Sequence, residues 1–120
     1  METLGRPKKE VFQRILFKPV IDGNLIKGKV IYVDSYENAY TNISESLFLS
    51  MTRGKKFIIQ FRSEAYRIKT IRKAYKDVVQ GEMLALFSTS GLLEIAINQG
   101  KASSLLGLRV DQSILVEILD

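Results

Sequence analysis

Two short polar segments carry the residue types that could bind a small molecule. In the first, Asp34, Tyr36 and Asn38 lie at positions i, i+2 and i+4. The carboxylate could accept a hydrogen bond from an ammonium or hydroxyl group, and the amide could pair with the edge of a purine. The ring between them offers a flat surface for stacking. An ordinary Asx-type turn has the same pattern, and spacing alone favours that simpler interpretation.

The second polar segment, residues 88–91 (STSG), lies between two apolar runs, and a polar stretch at residues 98–100 follows the second run. Main-chain N–H groups of such a turn could bind an anion such as a carboxylate, although a plain turn explains the same residues equally well. Glu94 lies within the second run, where it is either outward-facing or a buried carboxylate that needs a donor. Polar residues at the ends of core strands are a common way to build a small-molecule site.

The chain contains neither Cys nor His. The absence of Cys excludes disulfides and thiolate metal sites and fits a reducing compartment. The absence of His removes the usual group for proton transfer near neutral pH and excludes His/Cys zinc sites and Ser–His nucleophiles. We therefore expect no metal site, and any chemistry would depend on carboxylates, Lys, Tyr or a partner.

Positive charge is concentrated in residues 53–76, which contain nine Lys or Arg and one acidic residue in a chain of net charge +5. Phe57, Phe61, Tyr66 and Tyr75 are interleaved with these residues. Basic residues with aromatics on a β-surface are typical of single-stranded nucleic-acid binding. The alternative is the solvent face of two amphipathic strands, which we favour because no RNA-binding motif accompanies the charge.

The 120 residues are enough for one domain with its own core. Residues 1–24 contain both prolines and scattered apolar residues, so we expect a linker or arm from an upstream domain there and the folded domain over residues 25–120. No apolar run approaches the roughly 18 residues of a membrane span. The first ten residues lack the apolar centre of a secretory signal.

The patterns of apolar, β-branched and turn residues predict about seven short strands. They are expected at residues 30–33, 39–43, 57–61, 66–71, 83–87, 92–97 and 114–119. Turn residues occur at 22–24 and 34–38, and residues 63–65 predict a hairpin-like connection.

Two short helices are also predicted. The first spans residues 45–51, with Asn42 as its N-cap in a capping-box pattern and Leu47, Phe48 and Met51 on one side. The second is one turn over residues 101–106, ended by Gly107. The expected fold is all-β: a small Greek-key β-barrel or sandwich with one or two short helices.

Three segments share their order and spacing with a known family: residues 28–43 (GKVIYVDSYENAYTNI), 75–82 (YKDVVQGE) and 88–100 (STSGLLEIAINQG). Together they resemble the C-terminal domain of the S-adenosylmethionine (SAM) hydroxide adenosyltransferases, relatives of fluorinase and chlorinase, over about residues 28–117. The resemblance implies a small β-barrel in a homotrimeric, cytoplasmic enzyme. Each active site would lie between this domain and the N-terminal domain of a neighbouring subunit.

The resemblance also implies a reaction in which SAM is the substrate and no further cofactor is needed. Water or hydroxide attacks its C5′ carbon and releases adenosine and L-methionine. Asn38 and the main chain near Gln99 would hold the adenine, with Tyr36 and Tyr75 flanking it.

The methionine part of SAM is assigned to the two polar segments by the same resemblance. Asp34 would bind its ammonium group, and Thr89 with Ser90 would bind its carboxylate. The resemblance places the water-activating residues in the N-terminal domain, so we expect no catalytic residue here and no turnover by this chain alone. A free-standing nucleic-acid-binding barrel and a purely structural role in trimer assembly are the alternatives.

Four positions depart from the family pattern. Ser35, Tyr36 and Glu37 stand where Arg, Phe and Gly are typical, and Ser88 stands where Asn is usual. If the family Gly has a positive φ, we expect Glu37 to be strained there.

Overall fold

The computed structural model describes residues 18–61 and 66–119. They form an antiparallel, nearly closed barrel-shaped sheet with short helices, which confirms the predicted all-β barrel class. The helices are α1 (Glu45–Thr52) and α2 (Ala102–Leu106), and Tyr75–Asp77 forms a short 3₁₀ helix. The strands are β1 (Val20–Asp22), β2 (Leu25–Val33), β3 (Ala39–Ser44), β4 (Phe57–Phe61), β5 (Tyr66–Ile68), β6 (Met83–Phe87), β7 (Leu92–Ile97) and β8 (Ser113–Ile118).

The strand order is β5–β4–β8–β2–β3–β7–β6, with β1 paired to β2. Strand β2 pairs with β8 through its first half and with β3 through its second half. A Cβ atom at Gly28 would lie 2.7 Å from the Asn42 side-chain oxygen, and that oxygen accepts a hydrogen bond from the Lys29 main chain at 3.0 Å. Because Gly28 has no side chain, β3 can approach β2 closely near the point where β2 changes its pairing from β8 to β3. Close approach of another backbone is a usual role for glycine within a strand.

The two end strands of the sheet, β5 and β6, meet through the segment that follows β5. Ile71 forms a parallel bridge with Ala85 of β6, and the Arg72 N–H donates to the Ala85 carbonyl at 2.8 Å. Residue 71 thus belongs to this bridge, so the strand predicted over residues 66–71 ends at Ile68. Inward-facing side chains fill the interior, as in other small barrels; fully buried members include Ile26, Ile43, Ile59, Leu93, Ile95, Ile114 and Val116.

Helix α1 covers part of this core through Phe48, whose ring packs edge-on against Phe57 at 4.9 Å and Phe87 at 5.3 Å between centroids. Its N-cap is Ser44, whose hydroxyl accepts from the Leu47 N–H at 3.1 Å. The predicted cap at Asn42 is wrong, because β3 continues through Ser44 and keeps Asn42 within the strand.

Other local features agree with the sequence pattern only in part. Helix α2 lies within the predicted residues 101–106, and Gly107 follows it with φ 70°. Strand β1 was not predicted; its residues 20–22 are all exposed and have no apolar alternation. It brings the number of strands to eight among the described residues. Residues 1–17 of the expected arm and the predicted connection at 63–65 lie outside the described ranges.

Candidate functional site

The bend between β2 and β3 is organised by the carboxylate of Asp34. Its Oδ1 atom accepts from the main-chain N–H groups of Tyr36 and Asn38, both at 2.9 Å. Its Oδ2 atom accepts from the Asn38 amide at 3.2 Å and from the Tyr40 hydroxyl at 2.9 Å. The Asx-type interpretation of this segment therefore describes its local structure. Because a carboxylate has about four acceptor positions, these donors occupy the whole capacity of Asp34.

Glu37 ties the same bend to helix α2. Its φ of 65° lies in the left-handed region, which is the condition under which we expected strain at this position. Its main-chain carbonyl accepts from the Ser103 N–H at 2.8 Å, and its carboxylate accepts from the Ser104 N–H at 3.0 Å and from the Ser104 hydroxyl. The bonds from Ser104, with a contribution from the positive charge of Lys101, hold the pKa of Glu37 below its usual 4.5.

A cavity of about 710 Å³ lies between this bend and the end of β7, and we call it cavity A. It is bounded by Asp34, Ser35, Tyr36, Asn38, Tyr75, Ile97, Asn98, Gln99, Gly100 and Lys101. Asn38 is 8% exposed, whereas the ring of Tyr36 is 75% exposed at the rim. The volume lies within the range of roughly 300–1,000 Å³ typical of small-molecule sites.

The turn after β7 gives cavity A a main-chain wall. Gln99 has φ 57°, and the Asn98 amide donates to the Val78 carbonyl at 2.9 Å. A Cβ atom at Gly100 would overlap the Cγ2 atom of Ile97. Glycine at this position therefore lets the chain turn tightly against β7, which keeps the Gln99 main chain beside the cavity.

The second polar segment borders a cavity of about 420 Å³, which we call cavity B. The Ser88 carbonyl accepts from the Gly91 N–H at 2.9 Å, and the Ser88 and Ser90 hydroxyls are 2.8 Å apart. These bonds make a plain turn, and its residues Thr89 and Ser90 are exposed beside the cavity. The cavity is bounded by Tyr40, Lys73, Ala74, Tyr75, Leu86, Phe87, Ser88, Thr89, Ser90 and Glu94.

Tyr75 borders both cavities. Its hydroxyl donates to Glu94 Oε2 at 2.6 Å and lies 3.5 Å from the Asn38 amide nitrogen. Glu94 is 2% exposed, which decides between the two alternatives left open by the sequence in favour of a buried carboxylate. Side chains that are distant in sequence thus form a chain of hydrogen bonds from Tyr40 through Asp34, Asn38 and Tyr75 to Glu94.

Burial shifts the pKa values in this chain of hydrogen bonds. Burial raises the pKa of Glu94 despite the hydrogen bond from Tyr75, and the negative charge of Asp34 adds to the effect. Burial and the bond to Glu94 raise the pKa of Tyr75 well above its usual value. Burial and the bond to Asp34 do the same for the pKa of Tyr40. Both hydroxyls are therefore neutral donors at physiological pH.

All of the predicted site residues border one of the two cavities. Thr89 and Ser90 border cavity B, Tyr75 borders both, and cavity A takes Asp34, Tyr36, Asn38 and Gln99. Sequence reasoning did not assign Tyr40, Lys73, Asn98 or Lys101 to the site. Tyr40 follows Asn38 by two residues, a spacing that places side chains on the same face of an extended chain, and this was a local signal that could have found it.

The basic segment is divided between several environments. Arg67, Lys69 and Arg72 border a separate cleft of about 200 Å³ between β5 and β6. Phe61 is buried in the core, and its ring stacks on Tyr66 at 5.4 Å between centroids. Of the four interleaved aromatics, Tyr75 belongs to cavities A and B. The nucleic-acid alternative stays a prediction.

From the sequence we expect neither a metal site nor a membrane-spanning segment. Within residues 18–61 and 66–119, no cluster of three or more His, Cys, Asp or Glu side chains could hold a metal ion. No helix of the same two ranges is long and apolar enough to cross a membrane.

Solved structures that resemble this chain include two conserved proteins. One is an uncharacterized conserved protein from Thermotoga maritima, with 32% sequence identity, a TM-score of 0.69 and 82% of this chain covered. Another is a conserved hypothetical protein from Thermus thermophilus, with 23% identity, a TM-score of 0.57 and 86% of this chain covered, which supports the fold alone. This chain spans 38% of the length of each of these proteins.

A family comparison covers most of the barrel and both cavities. The sequence profile of the SAM hydroxide adenosyltransferase C-terminal domain matches residues 28–115. This range contains the bend at Asp34, the turn at Ser88, the buried Glu94 and the main-chain wall at Gln99. The chain belongs to the SAM hydroxide adenosyltransferase C-terminal domain family.

Proposed function

We propose that this domain binds the adenosyl and methionine parts of SAM in an enzyme that converts SAM and water to adenosine and L-methionine. The observation that carries the proposal is the pair of adjoining cavities, A and B, which meet at Tyr75. Cavity A offers an amide and aromatic rings, which suit the adenine of SAM, and cavity B offers hydroxyl groups, which suit the carboxylate of its methionine part. Family membership supports the choice of ligand.

The adenine is proposed to bind in cavity A. The Asn38 amide nitrogen faces Asp34 Oδ2 at 3.2 Å, which leaves its carbonyl oxygen as an acceptor for the exocyclic amine of adenine. The exposed ring of Tyr36 and the ring of Tyr75 offer aromatic surfaces for the base. The main chain at Gln99 supplies polar groups on the wall formed by the turn after β7.

The methionine part is proposed to bind in cavity B. The hydroxyls of Thr89 and Ser90 would hold its carboxylate. Its ammonium group would reach Asp34 from the side of Tyr40, whose hydroxyl now donates to Asp34 Oδ2 at 2.9 Å. Because the acceptor positions of Asp34 are filled, the ammonium would have to share or replace that donor.

Activation of water is proposed to need residues from another domain. The chain has no His or Cys, and neutral Tyr hydroxyls are poor bases. We propose that the N-terminal domain of a neighbouring subunit in a cytoplasmic homotrimer completes each site. This proposal accounts for the exposed rims of both cavities, which carry residues such as Tyr36, Thr89 and Ser90.

Calorimetric titration of the 120-residue chain with adenosine, SAM and L-methionine tests the binding proposal. We expect SAM and adenosine to bind with a negative heat-capacity change, because rings and apolar walls are removed from water. Inosine is the matched control, since its 6-oxo group cannot donate to Asn38. Equal affinity for inosine and adenosine would contradict the proposed adenine site.

A second experiment addresses catalysis. The chain is mixed with a SAM hydroxide adenosyltransferase N-terminal domain, and release of L-methionine from SAM is measured by chromatography. We expect release in the mixture and none from either component alone. Release by this chain alone, or none in a mixture shown to assemble, would contradict the proposed division of roles.

A further inference from the structure

Glu94 is a buried carboxylate, and the stability of the fold does not explain why a carboxylate occupies this position. It lies in β7 opposite Tyr40 of β3 and Leu86 of β6 and is 2% exposed. Among the described residues it forms no ion pair, and its hydrogen bond comes from the Tyr75 hydroxyl at 2.6 Å. A buried carboxyl group with a single partner is costly compared with an apolar side chain of similar size. The position therefore calls for a role beyond packing.

Tyr75 is the side chain on which Glu94 acts. Its main chain is held in the 3₁₀ helix because the Asp77 carboxylate accepts from the Lys73 and Ala74 N–H groups, both at 3.1 Å. Its side chain is 41% exposed, so packing alone leaves the ring room to turn. The short bond to Glu94 sets the position of the hydroxyl, whereas the contact with the Asn38 amide is 3.5 Å long.

This arrangement matters because Tyr75 forms the boundary between cavities A and B. A ligand that extends from one cavity into the other must pass Tyr75, whereas a ligand confined to cavity A meets Tyr75 from that cavity alone. The orientation of the ring therefore affects a spanning ligand more strongly.

We propose that Glu94 is a positioning residue, which fixes Tyr75 as the shared wall so that one ligand can occupy both cavities. The inference rests on the proposed function, because it takes SAM as the spanning ligand and adenosine as the ligand of cavity A. Glu94 borders cavity B, and the role assigned to it here depends on its bond to the Tyr75 hydroxyl.

Four variants of the 120-residue chain test this role by calorimetry with SAM and adenosine. Glu94→Leu removes the acceptor, and we expect SAM affinity to fall roughly tenfold, the usual effect of losing a hydrogen bond to a charged group, with a smaller loss for adenosine. Glu94→Gln keeps an acceptor and should stay within about twofold of the original chain. Tyr75→Phe should match Glu94→Leu. Glu82→Leu, at an exposed position just before β6, is the control.

The double variant Tyr75→Phe/Glu94→Leu decides whether Glu94 acts through Tyr75. Residues that act as one unit give non-additive losses, so we expect no further loss beyond Tyr75→Phe alone. Fully additive losses, or a loss in Glu94→Gln as large as that in Glu94→Leu, would overturn the proposal.

A measurement without ligand keeps the inference separate from the proposed function. Ionisation of the tyrosines is followed by their ultraviolet absorbance, and Tyr40 and Tyr75 should ionise last because burial raises both pKa values. The charged groups that face Tyr75 and Glu94 are Asp34 from the bend and Lys73 from the loop. The other titratable group beside them is the neutral hydroxyl of Tyr40 from β3.

In Glu94→Leu and Glu94→Gln alike, one late ionisation should move to lower pH, because the negative charge beside Tyr75 is gone. The Gln variant keeps the size of the side chain and guards against a Leu variant that fails to fold. An unchanged titration in the Gln variant would overturn the inference. Absence of adenosine and SAM binding by the original chain, with the expected titration shift, would contradict the proposed function alone.

Discussion

The carboxylate of Glu37 accepts a hydrogen bond from the main-chain N–H of Ser104 at 3.0 Å across a sequence separation of 67 residues. The bond joins the bend that contains Asp34 and Asn38 to the first turn of α2. It also offsets the left-handed backbone of Glu37, at φ 65°, which a residue with a side chain seldom adopts. The side chain of Glu37 thus supplies a contact at the position where its backbone is strained.

Substitution of Glu37 separates the contact from the backbone strain. Glu37→Ala removes the contact and keeps the strain, whereas Glu37→Gly removes both. We therefore expect the Ala variant to melt below both the original chain and the Gly variant in thermal unfolding followed by circular dichroism. Glu45→Ala, at an exposed helix position, serves as the control for loss of a surface carboxylate. A Gly variant that melts lowest would show that strain at Glu37 is unimportant.

The contact of Glu37 should depend on pH. Because the pKa of Glu37 is lowered from 4.5 in the folded chain, the unfolded chain binds the proton more readily near that pH. The stabilisation is then present above pH 4.5 and disappears as the pH falls through the lower, folded value. Urea unfolding of the original chain and of Glu37→Gln should differ at about pH 6 and converge below the ordinary pKa of a carboxyl group. A difference that grows on acidification would contradict this assignment.

Glu94 should give a pH dependence of the opposite sign. Its pKa is raised in the folded chain because burial disfavours the charged form, so the folded state binds the proton more tightly than the unfolded state. Stability from this group is complete below the ordinary value of 4.5 and is lost as the pH rises through the folded value. The free energy of unfolding of Glu94→Gln should therefore fall less than that of the original chain above that ordinary value. Parallel curves for the two proteins would contradict the raised pKa.

Gly100 should be intolerant of a side chain because its Cβ position is already filled by the Cγ2 atom of Ile97. We expect Gly100→Ala to lower the free energy of unfolding by about 1–3 kcal/mol, as for other overpacked sites. Ile97→Leu moves the branch away from Cβ, so the double variant Ile97→Leu/Gly100→Ala should recover part of the loss. Strictly additive effects of the two substitutions in urea unfolding would indicate that the clash is not the cause.

Asn38 should distinguish nucleosides through its side-chain oxygen. Loss of the proposed bond to the exocyclic amine should weaken adenosine binding roughly tenfold in Asn38→Ala, and should remove the preference over inosine, since neither base then meets the amide. Ser90→Ala is the matched control: it should weaken SAM and leave adenosine unchanged. Calorimetry checks both variants, and a retained preference for adenosine in Asn38→Ala would place recognition of the base elsewhere.

The sequence by itself determined those features that depend on neighbours along the chain. Alternating and β-branched runs were sufficient for strands β4, β6 and β7 and, within one residue, for the ends of β3 and β8. The helix over residues 45–51 and the glycine that follows α2 were predicted from similarly local patterns. The motifs around Asp34 and Ser88 were sufficient to identify the family and to choose residues that border both cavities.

Only the tertiary structure decided which distant groups meet. Glu94 has the same neighbours in sequence whether it is exposed or buried, and the tertiary structure buries it beneath a tyrosine 19 residues away. Ser44 replaced Asn42 as the helix cap because pairing with β7 extends β3 through Ser44. Hydrogen bonds and burial depend on distances in space, and a pattern along the chain carries those distances only within a single strand, helix or turn.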